Sequence, residues 1–232
     1  MNLVTDKYYL KTKRNHLGYR FSWEIFTDII LENVARKPYW LDIGAGPNIL
    51  IDEQRGSEFA VGLDIEKPER IAIPPDSAYC IAQSELLPFK ERCFDYVTSR
   101  YTFEHLREPH ITMREVARVL KPGGVFALQT SNKNNPFILL SRMIPFALKK
   151  RIYPYLFKDN PSGTFKTHYK MNTPRALPVA IDCLKLQKLI MVEDLLRHNA
   201  VLFFLSDLIY RIMTILKLEN LYGNMIALYK KN

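Results

Sequence analysis

Apolar residues along the chain follow two alternating rhythms. Between residues 21 and 35, Phe21, Ile25, Ile29, Ile30 and Val34 recur at helical spacing and predict a helix that Pro38 ends. Tyr39–Ile43 is then a short apolar run that stops at Gly44, which reads as a buried strand followed by a turn. Pro47 suits the first turn of a helix, so a short helix is expected to about Gln54. Runs at 59–65, 78–82 and 94–99 predict three more strands. Ile111, Met113, Val116, Ala117 and Leu120 mark a helix over 106–120, which Lys121-Pro122-Gly123-Gly124 is expected to stop. Val125–Thr130 reads as a fifth strand. Thr173-Pro174 offers an N-cap and first-turn pair for a helix to about Leu184, and runs at 185–192 and 224–229 predict the last two strands.

Strands and helices therefore alternate from 38 to 131. The strands are apolar throughout, which implies burial on both faces and a parallel sheet between helical layers. The expected fold class is α/β and Rossmann-like, with helices on both faces of a mostly parallel sheet. The length suits one core, so a single domain is expected over 1–232. Within it lie an N-terminal arm and helix (1–37), a core (38–131), an inserted segment (132–175) and C-terminal helices and strands (176–232). Residues 199–218 are rich in Leu, Ile and Phe, but Asp207, Arg211, Thr214 and Lys217 interrupt them at helical spacing. That pattern is amphipathic and not membrane-spanning. A helix packed on the sheet and a helix lying in a membrane surface both satisfy it.

Composition changes the picture in one respect. The chain has 232 residues, 47% apolar, with three cysteines and a net charge of +9. The apolar share excludes wholesale disorder. Cys80, Cys93 and Cys183 form no Cys-x-x-Cys or Cys/His ladder, so no disulfide framework or metal site is expected and a reducing, cytoplasmic setting fits. The N-terminus has no apolar core and does not read as a secretory signal. The charge is unevenly placed: residues 1–20 carry +4, residues 21–132 carry −5, residues 133–175 carry +8 and residues 176–232 carry +2. The 133–175 stretch also holds seven aromatics, among them Phe137, Phe146, Tyr153, Tyr155 and Phe157. A solvated insertion and a surface for an anionic partner are both consistent with this.

The chemistry concentrates at Leu41-Asp42-Ile43-Gly44-Ala45-Gly46-Pro47. Two glycines one residue apart let the backbone turn sharply and approach a ligand. Such a turn at the end of the first strand is where doubly wound sheets bind cofactors. A dinucleotide fingerprint would need a third glycine where Ile49 stands, and Pro47 removes an N–H. No Gly-x-x-x-x-Gly-Lys-Ser/Thr occurs either, so a P-loop nucleotidase is excluded. Asp64 ends the second strand, where a carboxylate can accept hydrogen bonds from ribose hydroxyls.

Four blocks in order resemble the class I S-adenosylmethionine-dependent methyltransferases, in the branch with small-molecule and quinone methyltransferases. They are Trp40–Gly46, Val61–Ile65, Ser84–Phe89 with Cys93–Val97, and Phe103–Leu106 with Glu115–Gly124. The resemblance covers roughly residues 20–131. It implies S-adenosyl-L-methionine as cofactor and a seven-stranded sheet with an antiparallel last strand. It also implies that Gly44, Ala45 and Gly46 hold the methionine part, with Asp42 ordering the turn. Asp64, followed by Ile65, would take the ribose, and Ser84 and Glu85 would lie beside the adenine. The family carries an acid where this chain has Gln83, whose amide oxygen can still accept from an adenine amine. Arg100 stands where the family lines the cofactor's amino-acid end, and could serve that end or the acceptor.

A sulfonium methyl is already activated, so the protein mainly has to position an acceptor. His105 is the candidate general base for an alcohol acceptor, while Glu104-His105 as a helix-capping pair is the structural alternative. His168 is a second, solitary histidine. In this fold the N-terminal arm and the segment after the fifth strand cover the acceptor, and here both are basic. An anionic lipid or lipid-linked phosphate, a soluble acidic metabolite and RNA all fit, with RNA ranked last because no RNA-binding module is present. Peripheral membrane contact would run through 133–175 and 199–218. A non-catalytic cofactor-binding subunit of another methyltransferase stands as the alternative function.

Overall fold

The structure is a computed structural model and describes residues 3–34, 38–46, 57–66, 73, 75–145, 148, 151, 166–177, 181 and 183–232. The helix expected from Pro47 to about Gln54 lies outside these residues, as do Phe146, Tyr153, Tyr155, Phe157 and Phe165 of the basic segment. Packing divides the chain into two compact units. The first takes Met1–Ile25, Asn132–Lys166 and Met191–Asn224, and the second Phe26–Ser131, Thr167–Ile190 and Met225–Asn232.

The second unit is built on the sheet. Its strands are β1 (Tyr39–Ile43), β2 (Phe59–Asp64), β3 (Ser77–Ile81), β4 (Phe94–Arg100), β5 (Leu120–Ser131), β6 (Leu184–Val192) and β7 (Asn224–Lys231). They lie in the order β3-β2-β1-β4-β5-β7-β6. The β3-β2, β2-β1, β1-β4 and β4-β5 pairs are parallel. β7 is antiparallel to β5. The Asn132 N–H donates to Gly223 O at one end (2.8 Å), and Lys231 Nζ donates to Leu120 O at the other (2.7 Å). This is the α/β, mostly parallel arrangement that the apolar runs imply. Trp40, Leu41 and Ile43 on β1, and Val97 and Thr98 on β4, are wholly buried, which explains why these strands have no polar face. Trp40 Nε1 donates to Thr98 Oγ1 (2.8 Å), and Thr98 Oγ1 donates to Asp42 Oδ1 (2.7 Å). This chain locks β1 and β4 in register.

Two boundaries differ from the sequence reading. The helix expected over 106–120 spans Pro109–Val119 (α3, in chain order after α1 and α2 below). β5 follows at Leu120 without a loop, so Lys121–Gly124 stops the helix from inside a strand. The register shifts there, from Phe94↔Leu120 to Tyr96↔Val125. Pro122 and Gly123 (φ +79°) are absorbed as a bulge at the strand's entry, a position that tolerates a missing donor and a left-handed residue.

The first unit is helical. α1 (Leu3–Asn15) occupies what the sequence reading leaves as an arm, and the start of α2 (Ser22–Val34) follows it. α4 (Pro136–Met143) opens with Asn135 Oδ1 accepting from Phe137 N at 3.0 Å and with Pro136 in the first turn. α5 (Ala200–Ile215) is capped by Asn199 Oδ1, which accepts from Leu202 N at 2.9 Å. An aromatic cluster joins α1 to α5: Tyr8 stacks on Phe203 at 4.7 Å, and Tyr19 meets Phe21 and Tyr210 edge-on. Tyr19 OH donates to Glu193 O and accepts from Leu195 N. The helix expected from Thr173 to about Leu184 does not run that far: 174–177 form a turn, with Thr173 Oγ1 accepting from Ala176 N at 3.0 Å, and an Ile181–Leu184 bridge leads into β6, which already begins at Leu184.

Two adjacent buried acids sit in this unit. Glu193 Oε2 accepts from Gly223 N (2.5 Å) and Asn135 Nδ2 (2.9 Å), and Asp194 accepts from Ser22 N (2.7 Å) and Ser22 Oγ. Burial outweighs those donors and pushes Glu193 up to about 7, and it raises Asp194 as well. Between about pH 4.5 and 7, Glu193 holds a proton in the folded state that the unfolded chain has lost. Stability therefore falls as pH rises from about 4.5 to about 7 and is flat for Glu193 above that, a change on the order of 3 kcal/mol for this group. Denaturant unfolding at pH 5 and pH 8 should show this loss. Glu193→Gln, which keeps an acceptor for both donors, should reduce the difference; an equal difference in both proteins would reject the assignment.

Candidate active site

The carboxyl ends of the parallel strands bring together most of the residues singled out from sequence. Strand order reverses beside β1, with β2 on one side and β4 on the other, and the crevice of a doubly wound sheet opens at that point. The turn after β1 is held from below: Gly44 N and Ala45 N both donate to Leu63 O, at 2.7 and 3.0 Å. Gly44 has φ +74° and Gly46 φ +54°, a region that glycine enters without strain. A Cβ on Gly44 would lie 1.8 Å from Thr102 Oγ1, whereas one on Gly46 would meet nothing within 4 Å. The turn is thus pinned on one side and open on the other.

Asp64 closes this cradle. Its Oδ2 accepts from Gly46 N at 2.9 Å and its Oδ1 from Ile65 N at 2.7 Å. Oδ1 also accepts from Glu66 N at 3.4 Å, and Oδ2 retains a second lone-pair direction for a ribose hydroxyl. Ile65, the next residue, is exposed beside it, an apolar surface for a base. Asp42 is buried one turn earlier and acts on β4 through Thr98, so it orders the strand that ends in the cradle.

The loop after β3 is held rigidly. Gln83 is exposed, and Ser84 is buried with its Oγ 3.0 Å from Thr112 Oγ1 of α3 and 3.1 Å from Glu85 Oε2. Arg118 fastens the rest: its guanidinium donates to Leu87 O (2.9 Å), Phe89 O (2.7 Å) and the Glu115 carboxylate (2.7 and 2.8 Å). Glu115 also accepts from Leu87 N at 2.8 Å. The Arg118 hydrogen bonds hold the Glu115 carboxyl below its ordinary range. Sequence reading missed Arg118 because its partners are backbone carbonyls of a distant loop.

β4 delivers the other wall. Arg100 is half-buried at its last position; its carbonyl accepts from Thr102 Oγ1 at 3.3 Å, while its guanidinium makes no hydrogen bond or ion pair with the described residues. Tyr101 follows with φ +54°, an unusual backbone for an aromatic residue; its N–H donates to Gln129 O and its OH accepts from Gln129 Nε2 at 2.8 Å. His105 is half-buried, and its N–H donates to Thr102 O. Glu104 does not cap α3. It is buried, accepting from Thr130 Oγ1 (2.7 Å) and Ser131 Oγ (3.0 Å), while the α3 N-cap residue is Glu108, without a side-chain bond. The Glu104 carbonyl accepts from His168 N and Tyr169 N, so both histidines named from sequence reach the end of β4. Thr102 is the support that sequence reading missed, and Glu104, read there as a helix-capping residue, instead holds β5 from a buried position.

A cleft of about 510 Å³ lined by Asn33, Tyr39, Glu58, Asp95 and Lys121 lies at the opposite, amino end of the strands. Lys121 spans it to Asp95 (2.8 Å), so it is separate from the cradle.

A glycine turn at the end of β1, an acid at the end of β2 and the 3-2-1-4-5-7-6 sheet are features of the methyltransferase fold. Residues 41–128 match the family described as a methyltransferase domain. That segment, which runs from β1 to β5, is similar to this family, and the fold is that of S-adenosylmethionine-dependent methyltransferases of known structure. It is 30% identical over 135 residues to a ubiquinone biosynthesis O-methyltransferase of Neisseria meningitidis, covering 53% of each chain. It is 33% identical over 82 residues to a ubiquinone/menaquinone biosynthesis C-methyltransferase of Xylella fastidiosa, covering 35% of this chain and 32% of that one. The chain thus spans about half the length, or less, of these curated relatives. Among solved structures it is similar in fold to an S-adenosylmethionine-dependent methyltransferase from Mesorhizobium loti. That match has a TM-score of 0.55 and 17% identity, and covers 88% of this chain and 95% of the other. A methyltransferase from Methanosarcina mazei gives a TM-score of 0.56 and 17% identity, covering 88% and 96%.

The residues present fit the cofactor: open space above Gly46, a lone-pair direction at Asp64 Oδ2 and an apolar surface at Ile65. Removing a charged acceptor for hydroxyls costs about 1.5–3 kcal/mol. Asp64→Ala should therefore weaken S-adenosylmethionine binding by roughly 10- to 100-fold in calorimetric titration. Unchanged affinity in a variant with an unaltered circular dichroism spectrum would remove Asp64 from the site.

Proposed function

We propose that the protein transfers the methyl group of S-adenosylmethionine to an anionic, lipid-linked small-molecule acceptor. The observation that carries this reading is Arg100. It is a half-buried cation at the carboxyl end of β4, next to the cradle, with no carboxylate partner among the described residues. A cation placed there favours a negatively charged group, by charge-assisted hydrogen bonds that Lys or a neutral residue would make less well. The basic segments 1–20 and 133–175 support the same polarity. Relatives named for ubiquinone biosynthesis support a lipid-linked acceptor, since ubiquinone is a lipid-soluble quinone.

The cofactor supplies an activated methyl when bound. The chain's own task is to hold the acceptor in line with it and to keep water out. Arg100 fixes the anionic end of the acceptor. Tyr101 is held in its strained backbone by Gln129 from both ends and forms the adjoining wall. His105 takes the proton when the acceptor atom is a hydroxyl.

Incubation with labelled S-adenosylmethionine and a cell extract should place label in the lipid or acidic small-molecule fraction. Label in RNA, or tight cofactor binding with no labelled product from any fraction, would overturn the reading. With the acceptor in hand, Arg100→Met should raise its KM roughly tenfold or more and leave cofactor affinity unchanged. His105→Ala should lower kcat about 10²-fold for a hydroxyl acceptor. If Arg100→Met moved cofactor affinity instead, Arg100 would belong to the cofactor's amino-acid end.

A further inference from the structure

α5 exposes apolar side chains that nothing in the fold requires to be exposed. Val201, Phe204, Leu205, Leu208, Ile212 and Ile215 fall within an arc of roughly 100° on a helical projection. All are solvent-exposed, Val201 at 76%, Leu208 at 54% and Ile215 at 78%. The opposite side of the same helix, with Phe203, Ser206 and Met213, is buried. Asp207 and Arg211 stand at the edge, and Asp207 is bonded to His16 (2.5 Å) and Arg211 (2.8 Å). α5 is thus apolar on two faces, and only one of them serves the core of its own unit.

The rim of this stripe is cationic. Lys11 of α1 lies 4.2 Å from the centre of the Phe204 ring. Lys7 and Arg14 share its face of α1, at spacings of four and three residues, and both are exposed. Lys13, by contrast, turns inward to Glu24 (2.7 Å). The stripe runs the length of the helix, about 24 Å at 1.5 Å per residue. No charged residue falls inside the arc, whose exposed side chains are Val, Leu, Ile and Phe. A bilayer surface takes an apolar stripe at the acyl boundary and cations at the headgroups.

We propose that α5, with the basic face of α1, is an interfacial surface that lies in the headgroup region of an anionic membrane. The inference rests on the first unit alone and holds whatever the acceptor is. Among the described residues no helix is long and apolar enough to cross a membrane, so the mode is contact in the plane of the surface.

The test is flotation of the full chain with vesicles of phosphatidylcholine, alone or mixed with phosphatidylglycerol, at low and at high salt. The protein should float with the mixed vesicles at low salt and partition far less onto phosphatidylcholine alone. Binding should weaken as salt shortens the Debye length to about 3 Å near 1 M. Leu208→Glu should reduce partition by on the order of tenfold through lost apolar burial. The double variant Lys7→Gln, Arg14→Gln should reduce it by on the order of tenfold through lost charge, with the salt dependence flattened. All three sites are exposed, so circular dichroism and melting temperature should match the parent. No flotation with the mixed vesicles at low salt would overturn the proposal, as would equal partition of parent and variants. So would a dimer in light scattering that Leu208→Glu converts to a monomer, since a second copy would then cover the stripe.

Discussion

Ile43 hands the chain to Gly44 at a point where Thr102 already fills the space that a side chain would need. The end of β1 and the loop after β4 therefore fit only if residue 44 lacks a Cβ and takes a left-handed backbone. From that contact the rest of the site follows. Gly44 and Ala45 reach Leu63 on β2, Asp64 reaches back to Gly46, and Thr102 sets the turn that carries His105. The Trp40–Thr98–Asp42 chain fixes the same two strands deeper in the sheet, so the floor and the rim are aligned by one pair of neighbours. The site is rigid where strands meet and open only on the Gly46 side.

Much of this was legible in the sequence because burial on both faces of β1, β2 and β4 leaves uninterrupted apolar runs. The glycine turn and Asp64 were legible for the same kind of reason, since each must be that residue type to do its work. Three things were hidden. β5 begins at Leu120, because Pro122 and Gly123, read as a stop, are absorbed in a bulge. α1 carries four cations and a weak apolar pattern, so nothing periodic marks it until Tyr8 finds Phe203. Glu104 and Arg118 look like surface charges, and only the folded chain shows one buried against β5 and the other clasping backbone carbonyls.

The charge pattern also gains a structural address. The two basic stretches are separated by more than a hundred residues in sequence, yet residues 1–20 and 133–166 belong to one unit. The net-negative stretch 26–131 belongs to the other, with the cradle.

The return of the chain at 167–172 has a consequence for how such a protein can change. Glu104 holds Ser131 with its side chain and His168 and Tyr169 with its carbonyl, and Asn172 Nδ2 donates to Thr130 Oγ1 (2.6 Å) and Ser131 O (3.0 Å). The strand leaves the sheet and comes back at one small knot of hydrogen bonds. Everything between those points is a detour with a closed neck. Lengthening a closed loop costs little, about 0.6 kcal/mol for each doubling. The exception is its first turn, where Asn132 and Asn135 hold Tyr222, Gly223 and Glu193; a change of length beyond that turn costs the sheet little.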